Sequence, residues 1–291
     1  MLKKNMYYHI VIFISFIFSH YVQASNNVNL KIKQGILAEA NYIAGSQGKP
    51  VVIVLHGFLQ TNRYLTLTNL IEAAVEKEYS VLAPIDTLGI NKRKVSSPCQ
   101  STHKHTMFES LDEIHQWMQW LKRKGHNNVI LIGHSFGSVK AIAYIDKYGD
   151  SSQIPKVNKV IGLSLIDTEF VPDLKRREQD RKNARKRLER KDNDTHTYRL
   201  SYCHIYRAPA KAFLSYADWT SDKILSTLKN ITKNVEVVSI LGSNDKRVPE
   251  NWPAKQRDAG ATINIVEGAN HFFGGSQQID LLDLLDEVLG N

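Results

Sequence analysis

Gly133-His-Ser-Phe-Gly137 sets one serine between two glycines at a point where a strand-like run meets a helix-like one. The β-branched stretch Val129-Ile-Leu-Ile132 leads in, and residues 135–148, with small residues on their inner side, lead out. A serine on such a strand–turn–helix elbow is lifted into an exposed, strained position, and the flanking glycines relieve the crowding that follows. The N-terminal dipole of the helix favours negative charge developing beside it. The chemistry this arrangement offers is nucleophilic attack by Ser135 on a carbonyl carbon. The bland alternative is a glycine-bounded turn that carries an ordinary serine.

A hydroxyl becomes a useful nucleophile when a base takes its proton, and the base is commonly a histidine oriented by a carboxylate. Position must choose among eleven histidines. His271, in Gly268-Ala-Asn-His-Phe-Phe273, directly follows the last predicted strand, so its loop can reach the elbow across the sheet edge. Asp245, at the end of Leu241-Gly-Ser-Asn-Asp245, leaves the preceding strand at the same edge. Asp167, after the strand that follows the elbow helix, is its rival, and a turn-capping role for Asp245 is the bland reading. His56-Gly57-Phe58 follows the first buried strand. The amides of Phe58 and Phe136 are the candidate donors to a tetrahedral oxyanion, with Gly57 allowing close backbone approach and His56 read as structural.

These residues need a scaffold, and the hydrophobic pattern supplies one. Residues 28–33 and 36–43 alternate as a hairpin, and Val51–Leu55 and Ser80–Pro84 are short apolar strands. Further strands are expected at 129–132, 157–166, 235–241 and 262–266. Helices are expected at about 64–77, 107–124, 135–148, 221–228, 251–259 and 279–289. Strands alternating with helices predict an α/β fold, a mostly parallel sheet with helices on both faces. The alternation pauses after Ile166 for about forty residues, which reads as an inserted helical cap at about 168–206 rather than as a second domain.

From about Lys49 to Leu289 the chain resembles the α/β-hydrolase superfamily. The residues that carry the resemblance are His56-Gly57-Phe58, Gly133-His-Ser-Phe-Gly137, Asp245 and His271, in the chain order Ser, Asp, His. It departs from the commonest pattern after Pro84, where Asp86-Thr-Leu-Gly-Ile90 stands in place of an Arg-Gly-x-Gly-like turn. The resemblance implies a serine hydrolase that cleaves a carboxylic ester or thioester, small or lipid-like, through an acyl-enzyme. It implies no cofactor and no metal. A peptidase or amidase of the same fold, and a binding protein with a dormant site, are the alternatives.

Composition frames these readings. At 291 residues with 42% hydrophobic content, the chain can bury a large core. Lys3 and Lys4, the apolar run Ile10–Phe18 and Val22-Gln23-Ala24 have the layout of a secretory signal over residues 1–24, so the mature domain is expected to span 25–291 and to be periplasmic or secreted. An uncleaved anchor is the alternative, although the run is short for a bilayer span. No stable membrane span is expected after cleavage. In an oxidising compartment Cys99 and Cys203 can pair. The net charge of +9 is concentrated between Lys175 and Lys191, where ten basic residues face three acidic ones. Attraction of an anionic substrate or surface is the functional reading of that run, and a solvated helix face is the bland one. Nucleic acid is not expected, because no aromatic-interleaved recognition motif accompanies the charge. His103 and His105 lack a spaced third ligand for a metal.

Overall fold

The computed structural model describes residues 26–290, so the signal-like segment lies outside the described residues. The chain runs β1 (Asn26–Lys33), β2 (Ile36–Ile43), β3 (Val51–Leu55), α1 (Leu65–Glu76), β4 (Ser80–Ile85), α2 (Met107–Arg123), β5 (Asn128–His134), α3 (Phe136–Tyr148) and β6 (Lys156–Leu163). It continues through α4 (Leu174–Glu189), β7 (Thr195–Leu200), β8 (Cys203–Pro209), α5 (Ala210–Ala217), α6 (Ser221–Ile231), β9 (Glu236–Gly242), α7 (Trp252–Asp258), β10 (Thr262–Val266) and α8 (Gln277–Gly290).

Eight strands form one sheet in the order β1-β2-β4-β3-β5-β6-β9-β10. The two pairings at the β1 edge are antiparallel and the remaining five are parallel. Central strands buried on both faces need apolar side chains on both faces, which is why their sequences read as continuous apolar runs. In β3, Val51, Ile53 and Leu55 pack with α2 and α3 on one side, while Val52 and Val54 pack with α1 and α8 on the other. The start of α2 is fixed by a capping box in which Thr106 Oγ1 accepts from the Glu109 amide and Glu109 accepts from the Thr106 amide. No described helix is long and apolar enough to cross a membrane.

Between β6 and β9 the chain leaves the sheet to build the cap. The expected strand over 157–166 stops at Leu163, where Ser164 takes a φ of 46°. The insert is more than helical: α4 is followed by an antiparallel hairpin, β7–β8, which runs directly into α5. Cys99 and Cys203 are bonded, with their Cα atoms 5.5 Å apart. The bond ties the irregular segment before α2 to the first residue of β8.

Candidate active site

The elbow is built by close backbone approach. Ser135 has φ 57° and ψ −123°, a conformation that costs a non-glycine residue about 1–3 kcal/mol. Its amide donates to Leu163 O at 2.8 Å, and Ser138 Oγ donates to Gly133 O at 2.7 Å. A Cβ at Gly133 would stand 2.4 Å from Gly137 O, and one at Gly137 would stand 2.3 Å from Leu55 O. No side chain fits at either position, which is the physical content of the paired glycines.

Three side chains from three strand ends meet at this point. Ser135 Oγ lies 2.9 Å from His271 Nε2, and His271 Nδ1 lies 2.8 Å from Asp245 Oδ2. With Nδ1–H donating to the carboxylate, Nε2 is left to accept from the serine hydroxyl. Burial pushes the Asp245 carboxyl up, but the hydrogen bond and charge of His271 and the amide of Arg247 outweigh it, so Asp245 sits below the ordinary carboxylate value. Asp167 does not approach His271. Its Oδ1 accepts from Ser221 Oγ and from the Glu169 amide.

His134, inside the elbow motif, anchors the histidine loop. Its Nε2–H donates to His271 O at 2.8 Å, and Ser164 Oγ donates to the same carbonyl at 3.3 Å. Burial, helped by the neighbouring His271, lowers His134 to about 4, so the ring is neutral at pH 7. Gly242 is also required here, because a Cβ would meet Ala269 O at 2.3 Å where the two strand-end loops pack together.

The loop 57–60 is held carbonyl by carbonyl. The Asp86 amide donates to His56 Nε2 at 3.0 Å, which leaves Nδ1–H to donate to Gly57 O at 2.8 Å. Gly57 C=O and Phe58 N–H belong to one planar trans peptide, so fixing the carbonyl fixes the direction of the Phe58 N–H. Tyr202 Oη donates to Phe58 O at 2.9 Å, the Ser97 amide to Leu59 O at 2.9 Å, and Arg93 to Gln60 O at 2.7 Å. The Phe136 amide lies in the first turn of α3, where N–H groups have no intrahelical acceptor. The Phe58 and Phe136 rings meet at 5.7 Å, and a Cβ at Gly57 would be 3.4 Å from Ser135 Cβ.

Beneath this loop lies a buried polar cluster. Lys140 Nζ donates to Asp86 Oδ2 at 2.7 Å, Ser110 Oγ donates to the same oxygen at 3.1 Å, and Arg93 Nε donates to Asp86 O at 2.6 Å. Burial would raise the Asp86 carboxyl, yet the charge and the hydrogen bond of Lys140 outweigh it and hold the carboxyl well below the usual range. Burial first, then the charge of Lys140, lowers His56 to about 3. His105 pairs with Glu113 at 3.0 Å, whereas His103 stacks on Tyr206, so these two histidines serve separate contacts. Sequence reasoning passed over Arg93, Lys140 and Tyr202. The one available signal was a lysine on the small, apolar inner side of α3.

A cavity of about 550 Å³ opens between the cap and the sheet edge. Phe136, Tyr202, Tyr216 and Arg247 form the wall nearest the elbow, and Phe170, Leu200, Phe213 and Trp219 line it from the cap side.

Parallel sheet, elbow and strand-end loops together define an α/β-hydrolase-fold protein. The α/β hydrolase fold family matches residues 50–185, and the fold of the chain is that of an α/β hydrolase. Solved structures similar to it include Est1E from Butyrivibrio proteoclasticus, at 14% identity and TM-score 0.61, covering 92% of this chain and 99% of that one. The α/β hydrolase GrgF from Penicillium sp. sh18 is similar at 16% identity and TM-score 0.65, covering 92% and 100%. The thioesterase domain from the curacin biosynthetic pathway is similar at 16% and 0.57, also covering 92% and 100%. Identities this low carry the fold and nothing finer. Among curated proteins none matches the sequence.

Proposed function

We propose that this protein is a serine hydrolase that cleaves a carboxylic ester or thioester. The observation that carries the reading is the continuous path from Ser135 Oγ through His271 to Asp245, with contacts of 2.9 and 2.8 Å. In this reading Ser135 Oγ bonds to the carbonyl carbon while its proton passes to His271 Nε2. Asp245 accepts from Nδ1–H and stabilises the imidazolium that forms. The amides of Phe58 and Phe136 receive the oxyanion, a contribution worth about 3–4 kcal/mol per donor in comparable sites. The tetrahedral intermediate collapses, the bond to the alcohol or thiol breaks, and that leaving group departs with the proton held by His271. Water then attacks the acyl-enzyme, gives its proton to His271, and releases the acid and free Ser135.

One structural neighbour is a thioesterase domain and another an α/β hydrolase, which supports acyl transfer to water as the reaction class. The Cys99–Cys203 bond and the signal-like N-terminus support export to an oxidising compartment.

A fluorophosphonate probe tests the reading on protein recovered from an exported fraction, whose first residue is expected to be Ser25. Wild type is expected to be labelled. Ser135→Ala should abolish labelling and His271→Ala should slow it by roughly 10³-fold or more. A folded wild type that stays unlabelled would sink the hydrolase reading and leave a binding protein of this fold. An exported protein that still begins at Met1 would remove the cleaved signal.

A further inference from the structure

The cavity beside the elbow carries a charge pattern that cleavage of a neutral ester does not use. Five cationic side chains reach it: Arg177, Arg181 and Arg199 from the cap, and Lys246 and Arg247 from the loop after β9. The cap arginines are already answered. Asp173 accepts from Arg177 at 3.1 Å and from Arg199 at 3.2 Å, and Glu169 accepts from Arg181 at 2.8 Å. Asp167, also in the wall, accepts at Oδ1 from Ser221 and from the Glu169 amide.

Lys246 and Arg247 are different. Among the described residues no carboxylate lies within 4.0 Å of either side chain's nitrogens. The Arg247 guanidinium lies 5.9 Å from the ring centroids of both Tyr202 and Phe272. The two rings flank the cation, and among the described residues its guanidinium N–H groups have no hydrogen-bond acceptor. Both rings belong to the reaction site's own neighbourhood, since Tyr202 donates to Phe58 O and Phe272 follows His271. Much of the remaining wall is apolar, with Phe136, Ile166, Phe213 and Trp219 among its members. A ligand that satisfies this wall has an apolar body and an anionic end.

We infer that the cavity takes the anionic half of the substrate, an ester or thioester bearing a carboxylate or phosphate that Lys246 and Arg247 receive. This rests on Ser135 being the nucleophile, and it adds what the nucleophile is offered. Charge-assisted hydrogen bonds of this kind correspond to about tenfold or somewhat more in rate constant.

Three fluorophosphonates of equal chain length, ending in methyl, carboxylate or phosphate, test it through their second-order rate constants for modifying Ser135. Oγ displaces fluoride in each case, so turnover is not needed. Wild type is expected to react about tenfold faster with an anionic probe than with the methyl one, and the advantage should shrink as salt rises. It should fall to about twofold or less in Lys246→Ala/Arg247→Ala. Arg247→Gln alone, which keeps a stem between the two rings without the charge, should lose most of it and serves if the double variant folds poorly. Lys182→Ala, exposed on α4 outside the cavity wall, should retain it. Equal rates with all three probes, or an advantage that survives loss of both cations, overturns the inference. Whichever anionic probe gains identifies the group as carboxylate or phosphate. If even the methyl probe leaves Ser135 untouched, the nucleophile reading fails first and takes this inference with it.

Discussion

The buried charge pair under the sheet edge and the outward charges of the cap are held in opposite ways. In the body, Lys140 and Asp86 are both buried, 2.7 Å apart, with side-chain exposures of 2% and 9%. Arg93 is buried beside them and spends its donors on backbone carbonyls of the segments around it. In the cap, Arg185 meets Asp218 at 2.8 Å with the guanidinium side chain 56% exposed, and Arg176 meets Asp180 at 3.8 Å with Arg176 66% exposed. Water reaches the guanidinium in both of these cap pairs and is kept from the body pair. The buried Lys140–Asp86–Arg93 cluster therefore specifies one geometry for the loop that carries Phe58, whereas the outward charges of the cap are left in solvent.

Breaking the body pair is expected to give the largest effect. Lys140→Met would strand the Asp86 carboxylate without its counter-charge, and removal of one partner from a buried pair costs about 3–5 kcal/mol. Urea unfolding at pH 7 measures this. Asp86→Leu/Lys140→Met should recover most of the loss, because two apolar groups leave no orphan charge. A loss below about 1 kcal/mol for the single variant would mean that the body pair is as replaceable as the cap's, and the contrast would dissolve.

The disulfide sharpens the comparison from the cap's side. It closes a separation of 104 residues and joins the loop before α2 to β8, where Tyr202 precedes Cys203 and donates to Phe58 O. Cys99→Ser/Cys203→Ser is expected to lower stability by about 2–4 kcal/mol, chiefly by freeing the unfolded chain. Limited proteolysis should then cut first within the β7–β8 hairpin. Cuts appearing first in the sheet body would show that the bond stabilises the body instead.

The same division governs what the sequence made legible. The elbow is written in five consecutive residues between a strand and a helix, so Ser135 could be placed by local reasoning alone. His271 and Asp245 needed only the parallel topology, which puts strand-end loops on one edge. Asp167 dropped out for a reason no sequence displays: Ser221 and the Glu169 amide take its Oδ1. The hairpin β7–β8 escaped notice because Thr195-His-Thr-Tyr-Arg-Leu200 is short and polar, and its pairing depends on packing of Tyr198 and Tyr206 into the core. Helix α5 begins at Ala210, after Pro209 at the N-cap position, with no side-chain cap to announce it. Lys140 was visible as an odd residue in an apolar helix, but its partner Asp86 lies 54 positions earlier, beyond any local pattern.

The smallest expected effect concerns the outward face of α4, the most basic stretch of the chain. Charged and amide side chains fill nearly every position of this helix, and its buried residues are Asp180 and Ala184. Arg176, itself exposed, stands four residues from the buried Asp180 carboxylate at 3.8 Å, a spacing at which helix pairs contribute about 0.3–0.5 kcal/mol. Lys175→Gln/Arg176→Gln/Lys182→Gln removes three exposed charges without touching the cavity wall. Unfolding in urea should shift by no more than about 0.5 kcal/mol, in either direction, because lost pairing is offset by relief of repulsion among the ten neighbouring cations. The charge preference of Ser135 modification should stay with Lys246 and Arg247. A large stability loss in this triple variant would mean that the outward charges hold the cap together. A lost preference with stability intact would mean that attraction begins at the helix surface, by long-range steering, and that only the last step of anion binding belongs to the cavity.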